Sequence, residues 1–263
     1  MLEEKSAATV KMERLASHIA LVTLERPDAR NAVNHEIAEA LDRIVAQTEA
    51  DPDIWLVVLT GAGHKAFCAG ADLKQVSAGG MESLFTPRGG FAGFVDAPRS
   101  KVWIAAVEGV ALAGGFEIAL ACDLIVASND AGFGLPEVKR GLLAAAGGAY
   151  RLPRMLPRGL AFEMLATGER IDAKRAHDLG LVSRLATPGR SVEAALALAA
   201  DICANAPLAV RESIAVARAS ADLAEADLRV ASHAAQARLA LSDDFREGPL
   251  AFIEKRAPRW SGQ

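Results

Sequence analysis

The stretch from Val102 to Asp123, V-W-I-A-A-V-E-G-V-A-L-A-G-G-F-E-I-A-L-A-C-D, constrains the fold of this chain more than any other. Its opening residues, Val102 to Val107, form an apolar run with the length and β-branching of a buried strand. Gly109 breaks that run. After a short connection, Ala113-Gly114-Gly115 opens a second apolar segment, Phe116 to Ala121, which is compatible with a helix. Small residues at a strand-to-helix turn let the backbone approach a partner closely. The first N–H groups of a helix have no internal acceptor, so they point outward as donors to an anion. Glu117 sits just inside this segment, amid apolar neighbours. It is either a surface residue favoured by the helix dipole or a buried acid with a chemical role, and position alone leaves both open.

The same pattern recurs upstream. Ile54 to Leu59 is a continuous apolar strand of the kind found in sheets covered on both faces. Gly61-Ala62-Gly63 then leads to Ala66-Phe67-Cys68-Ala69-Gly70-Ala71-Asp72-Leu73-Lys74, another buried strand followed by small residues and a polar segment. His18 to Leu24 reads as a strand. Asn34 is placed to cap a helix carrying Ile37, Leu41, Ile44 and Val45 on one face and ending near Asp51-Pro52. Gln75 to Phe94, with Gly79-Gly80, Pro87 and Gly89-Gly90, reads as a mobile flap over a site. Downstream come a strand at Leu124 to Ala127 and a turn at Gly134-Leu135-Pro136-Glu137. A helix broken by Pro153 and Pro157 follows, then one capped by Asp172 and a last strand at Leu181 to Leu185. Beyond Pro188 the chain becomes Ala-rich helix alone. Strand–helix units followed by helices predict an α/β core, residues 1–206, and a helical C-terminal region, residues 207–263.

Several chemistries are excluded or disfavoured. A net charge of −4 argues against nucleic acid or an acidic membrane as the main partner. No run of about 18 apolar residues suggests a membrane span. The N-terminal M-L-E-E-K-S-A-A-T-V has no secretory character. Cys68, Cys122 and Cys203 are odd in number and widely spaced, which fits reduced thiols in a cytoplasmic protein. The five histidines are scattered, with neither H-E-x-x-H nor a Cys-x-x-Cys pair, so no metal site is expected. A G-x-S-x-G elbow and a P-loop are also lacking. Cys68 reads as a small buried filler rather than a nucleophile. What survives is two turn-borne sets of backbone donors and two carboxylates, Glu117 and Glu137. Each feature also has a bland reading, in which small residues merely pack and the glutamates face solvent.

Together these residues resemble the crotonase superfamily, the acyl-CoA enzymes typified by enoyl-CoA hydratase. The resemblance rests on Ala66 to Lys74, on Gly109 to Asp123, and on Phe133 to Glu137 with Gly147-Gly148 downstream. Further matches are Arg26-Pro27 with Asn31-Ala32 and Asn34, the segment Ala176 to Val182, and Glu247-Gly248 through Phe252 to Arg256. They run in family order over nearly the whole chain. The resemblance implies an α/β spiral of ββα units and a C-terminal helical region that forms a homotrimer or a dimer of trimers. It implies an oxyanion hole at the N–H groups of Ala71 and Gly114, holding the oxygen of an acyl-CoA thioester as it gains charge. Glu117 and Glu137 match the two catalytic glutamates of the hydratase. One division of labour has Glu117 activating water while Glu137 manages the proton delivered to the α carbon. Arg30, Ala32, Ala69, Asp72, Leu73 and Lys74 would border coenzyme A, with Phe252 and Lys255 reaching it from the C-terminal region. Coenzyme A enters as part of the substrate, and no separate cofactor is implied.

Three departures from the family pattern bear on specificity. Ala113 replaces a usual glycine. Ala144-Ala145-Ala146 stands where hydratases often carry proline and glycine, which narrows the expected acyl pocket. Asp28 replaces a common lysine, leaving Arg30 to supply that charge. The tail, with Gly115-Phe116-Glu117 and Arg151-Leu152-Pro153, also resembles carnitinyl-CoA dehydratase. The leading expectation is hydration of a trans-2-enoyl-CoA. Its alternatives are the carnitinyl-CoA reaction, a 3,2-enoyl-CoA isomerase working with Glu137 alone, and a non-catalytic interaction protein on the same fold.

Overall fold

The computed structural model describes residues 8–15 and 18–263. The N-terminal stretch read as lacking secretory character therefore lies mostly outside the described residues. In chain order the elements begin with strands β1 (Val10–Arg14) and β2 (Ile19–Leu24) and helix α1 (His35–Ala50). Then come β3 (Leu56–Gly61), β4 (Ala66–Cys68), α2 (Leu73–Ser77), β5 (Phe85–Thr86) and β6 (Gly90–Phe91). The central part holds β7 (Val102–Val107), β8 (Val110–Leu112), α3 (Gly114–Ala121), β9 (Leu124–Ser128) and β10 (Gly132–Gly134). Next are α4 (Gly148–Met155), α5 (Arg158–Thr167), β11 (Arg170–Asp172), α6 (Ala173–Asp178) and β12 (Arg184–Ala186). Four helices finish the chain: α7 (Ser191–Cys203), α8 (Pro207–Ala219), α9 (Glu225–Leu239) and α10 (Asp243–Glu254).

The long strands form one sheet in the order β1-β2-β3-β7-β9-β12, and the short ones a second sheet in the order β11-β10-β8-β4. Each full turn of the spiral places one strand in each sheet and then a helix: β3–β4–α2, then β7–β8–α3. β9–β10 repeats the step, reaching α4 through a 3₁₀ turn at Pro136–Arg140. The run at 102–107 is apolar throughout because both faces of β7 are covered. Trp103, Ala105 and Val107 face the main core, whereas Ile104 and Ala106 face α7 through Ala195 and Ala199. Alanines on α7 let that helix lie close to the sheet. Asn34 caps α1 by accepting the Ile37 N–H at 3.0 Å.

One expectation is corrected. The stretch from Gln75 to Phe94 is not a structureless flap. It contains α2, a 3₁₀ turn at Glu82–Leu84 and the β5–β6 hairpin. Leu84, Phe91, Ala92 and Phe94 are buried in the main core, so apolar side chains spaced among the glycines pin this segment down.

The C-terminal helices dock through polar anchors. Arg218 of α8 makes a bidentate pair with Asp123, both bonds 2.7 Å, and Asp123 also accepts the Trp103 N–H at 2.8 Å. Asp244 accepts the Ser261 and Gly262 N–H groups, and the Trp260 indole donates to the Ala204 carbonyl. Among the described residues no single helix is long and apolar enough to cross a membrane.

Asn31 staples the first strand–helix crossover to the β3–β4 connection. Fully buried and left-handed at φ 54°, it accepts the Arg26 N–H at 3.0 Å and donates to the Ala62 and Ala66 carbonyls at 3.0 and 2.8 Å. Replacing it by alanine strands those three groups away from water. Asn31→Ala is expected to lower unfolding stability by about 2–4 kcal/mol in urea titrations; a loss within experimental error would show that the staple is idle.

Candidate active site

Parallel pairing of the short strands builds the site. β8 pairs with β4 on one side and β10 on the other, Cys68 opposite Ala111 and Gly134 opposite Leu112. The turns that leave these strands therefore lie side by side. Gly70 (φ 96°) lets two of them touch: a Cβ there would lie 2.9 Å from the Ala113 methyl and 3.1 Å from the Gly114 nitrogen. Gly115 packs on β4 just as closely, for a Cβ would come within 2.1 Å of the Cys68 carbonyl oxygen. The third turn is tied in by the Ala113 N–H, which donates to the Gly134 carbonyl at 2.9 Å.

Ala71 and Gly114 thus come together, each with a free donor. Ala71 bridges Val33 so that the Val33 N–H binds the Gly70 carbonyl and the Asp72 N–H binds the Val33 carbonyl, both at 2.8 Å. That register leaves the Ala71 N–H unused. The Gly114 N–H opens α3, and neither donor finds an acceptor among the described residues. Ala113 holds φ 50° and ψ −131°, a conformation glycine adopts freely and alanine at a cost of about 1–3 kcal/mol. The Phe91 ring covers the Cα of Gly114, and Phe85, 45% exposed, packs edge-on against Phe91 at 5.6 Å.

The two glutamates meet beside these donors. Glu117, 3% exposed, lies on the first turn of α3 and accepts the Gly148 N–H at 2.8 Å. The backbone N–H of Ala146 faces the same carboxylate. Glu137, on the 3₁₀ turn after β10, is buried, and neither carboxylate oxygen has a hydrogen-bond partner among the described residues. Burial raises the pKa of both. It carries Glu117 to about 7, with repulsion from Glu137 adding to the rise and the Gly148 N–H, the Ala146 N–H and Arg151 opposing it. For Glu137 burial outweighs the pull of its own backbone N–H and the attraction of Arg140. The bland reading, with both glutamates in solvent, is excluded.

The residues expected to border coenzyme A separate into two groups. Arg30, Ala32, Ala69, Asp72, Leu73 and Lys74 form one neighbourhood. The Arg30 carbonyl accepts the Ala69 N–H at 3.0 Å, and Arg26 bridges the Ala32 carbonyl to the Asp72 carboxylate. Burial pulls Asp72 upward, but the Arg26 guanidinium and the Lys74 N–H together hold it below its ordinary value. Leu73 and Lys74 are exposed at the start of α2. Phe252, 85% exposed, and Lys255 lie at the end of α10, and no hydrogen bond or ion pair among the described residues joins them to that neighbourhood. Cys68 is a buried filler whose thiol burial pushes up to about 12. Among the described residues no three His, Cys, Asp or Glu side chains converge to hold a metal ion. Sequence reading missed the donors to Glu117, since nothing in Gly147-Gly148 announces which side chain their backbone will meet.

A ββα spiral with paired free backbone donors beside two buried glutamates defines the crotonase class of acyl-CoA enzymes. The chain belongs to the enoyl-CoA hydratase/isomerase family, whose model matches residues 14–263. It is 41% identical over 253 residues to the (E)-benzylidenesuccinyl-CoA hydratase of Thauera aromatica, covering 94% of this chain and 97% of that one. It is 37% identical over 247 residues to the carnitinyl-CoA dehydratase of Proteus mirabilis (strain HI4320), covering 92% and 94%. The crystal structure of enoyl-CoA hydratase from Mycobacterium tuberculosis H37Rv superposes with a TM-score of 0.93 at 43% identity, covering 98% of this chain and all of that one.

The raised Glu117 pKa has a consequence for stability. Between its ordinary value near 4.5 and about 7 the folded protein keeps a proton that the unfolded chain has lost. Folding stability therefore falls as pH rises through that window. Glu117→Gln removes the buried charge, so the variant is expected to exceed the parent by about 2–3 kcal/mol at pH 8. The gap should close by pH 5. Equal pH dependence of the two melting temperatures would contradict this.

Proposed function

We propose that the protein is an enoyl-CoA hydratase, a hydro-lyase that reversibly adds water to a trans-2-enoyl-CoA to give the 3-hydroxyacyl-CoA. The observation that carries this reading is the pair of unused N–H groups at Ala71 and Gly114 flanked by two buried glutamates. The thioester carbonyl oxygen lies between the two donors. As the oxygen of water bonds to the β carbon, the π electrons move toward that carbonyl and an enolate forms. Donors fixed in advance stabilise its charge without reorganising, and each is worth about 10²–10³ in rate. The enolate then collapses as the α carbon takes a proton.

The surroundings of the two carboxyls divide the work. Glu117 is aimed by the backbone N–H groups that hold it, and in its ionised form, which the raised pKa places above about 7, it takes the proton of the attacking water. Glu137, with neither oxygen hydrogen-bonded and its pKa raised by burial, is the carboxyl that delivers the proton to the α carbon. The pair takes up a proton near neutral pH, which suits a reaction needing one acid and one base.

The second reading is the carnitinyl-CoA reaction, named for a relative and favoured by one observation. A quaternary ammonium on the acyl group needs an aromatic face, and Phe85 and Phe91 stand against the oxyanion turn. The Ala146 N–H faces Glu117, and the methyl groups of Ala144 to Ala146 favour short or medium chains. Turnover of crotonyl-CoA in labelled water is expected to place the label on the β carbon. Glu117→Gln and Glu137→Gln should each reduce that turnover by about 10²–10⁴-fold. A higher kcat/KM for crotonobetainyl-CoA than for crotonyl-CoA would select the second reading. Migration of the double bond without label would point to the isomerase, and no turnover on either substrate would defeat the hydratase.

Residues 207–263 serve as an oligomerisation region of a homotrimer or dimer of trimers. The supporting feature is apolar surface left open on the last helices, with Val230 69%, Phe252 85% and Ile253 75% exposed. Reduced cysteines suit a cytoplasmic location, coenzyme A arrives with the substrate, and neither nucleic acid nor membrane is a partner. Light scattering should give a trimer or hexamer for the whole chain, and truncation after Asn205 should abolish assembly. A stable monomer at micromolar concentration would overturn the assignment.

A further inference from the structure

Arg151 lies beneath the turn that grips Glu117. Its Nη1 donates to the Ala146 carbonyl at 3.0 Å and its Nη2 to the Val95 carbonyl at 2.7 Å. The same guanidinium stands 3.8 Å from the Asp96 carboxylate and 5.1 Å from the Tyr150 ring centroid. It fills the space under Gly147 so closely that a Cβ there would fall 2.0 Å from Nη1. Gly147, at φ 117°, is left-handed, so both its conformation and the guanidinium forbid a side chain. One residue further on, the Gly148 N–H donates to Glu117 at 2.8 Å.

We infer that Arg151 is a positioning residue for Glu117: by clamping residues 146–148 to the backbone at Val95, it fixes the N–H groups that aim the Glu117 carboxylate. This rests on the reading that Glu117 acts on the attacking water. A planar guanidinium holds two carbonyls with a rigid fork of donors, whereas an ammonium on its flexible stem fixes them less firmly. The cation has a second effect. Glu117 faces Glu137 from the 3₁₀ turn and Arg151 from α4, so Arg151 is the positive charge that offsets burial and like-charge repulsion. Arg151 itself faces Asp96, the Arg99 guanidinium and the Cys122 thiol, which burial pushes up to about 12 and so keeps neutral. Asp96 is 58% exposed, and solvent screens what it subtracts from the field of Arg151.

The test uses full-length Arg151→Gln and Arg151→Lys. Two quantities are followed: the pH profile of kcat and KM on an enoyl-CoA, and the carboxyl titration of ¹³C-glutamate-labelled protein, with Glu117→Gln assigning the signal. Arg151→Gln is expected to lower kcat by about 10- to 100-fold with KM little changed. It should also move the acidic limb and the Glu117 titration upward. Arg151→Lys should return the titration toward the parent while kcat stays low, because charge is restored without the rigid fork. A Glu117 titration unchanged in both variants, whatever their melting temperatures, would reduce Arg151 to a structural residue and overturn the inference. Should Arg151→Gln fail to fold, Arg151→Lys decides alone: parental kcat overturns the clamp, and reduced kcat with unchanged KM supports it. Failure of the underlying reading looks different, since a fully active Glu117→Gln would remove Glu117 from the reaction while the titration still reports on Arg151.

Discussion

The parallel pairing of three short strands, β4, β8 and β10, is the constraint on which the site depends. Strands in register end at one level, so the turns that leave them form a single row. From that row come Gly70-Ala71, Ala113-Gly114 and Leu135-Pro136-Glu137, although about sixty-five positions separate the first from the last. The large sheet enforces the register, because β3, β7 and β9 pair in parallel as well and each feeds the matching short strand. The free backbone donors at Ala71 and Gly114 are thus held in place by two sheets.

Close approach has costs. Gly70 and Gly115 exist so that two turns can touch, and Ala113 bears a backbone conformation that its methyl group penalises. That methyl rests on the Cα of Gly70, so contact there offsets part of the strain. The two buried carboxyls are a larger expense, since desolvation works against charge on both. A chain selected for stability alone would keep neither, which makes their retention in a packed core an indication of chemistry rather than of folding.

Much of this was legible in the sequence for a physical reason. A strand covered on both faces must be apolar throughout, so β3 and β7 announce themselves, and a turn between packed layers must be small, so the glycines mark the crossovers. The helices of the C-terminal third follow from composition as readily. What stayed hidden depends on side chains meeting across long separations. Gln75 to Phe94 reads as loose because its glycines outnumber any periodic apolar pattern, yet Leu84, Phe91 and Phe94 each find the core. The burial of Glu117 and Glu137, left open by their local context, is decided by which turns the spiral stacks. Arg151 carries no local signal at all, since its partners are two carbonyls, one of them fifty-six positions away.

The paired donors and carboxyls therefore rest on a different part of the fold from the Phe85–Phe91 hairpin and the alanines at 144 to 146. The donors at 71 and 114 and the carboxyls at 117 and 137 are placed by the register of the short strands. Phe85 and Phe91 come from the β5–β6 hairpin and the alanines at 144 to 146 from a loop, and neither segment belongs to the two large sheets. Relatives named for acyl groups as unlike as carnitinyl and benzylidenesuccinyl share this fold over nearly its full length. In this chain, backbone pairing of the short strands fixes the turns that carry the donors and carboxyls, and the hairpin and the loop lie outside that pairing.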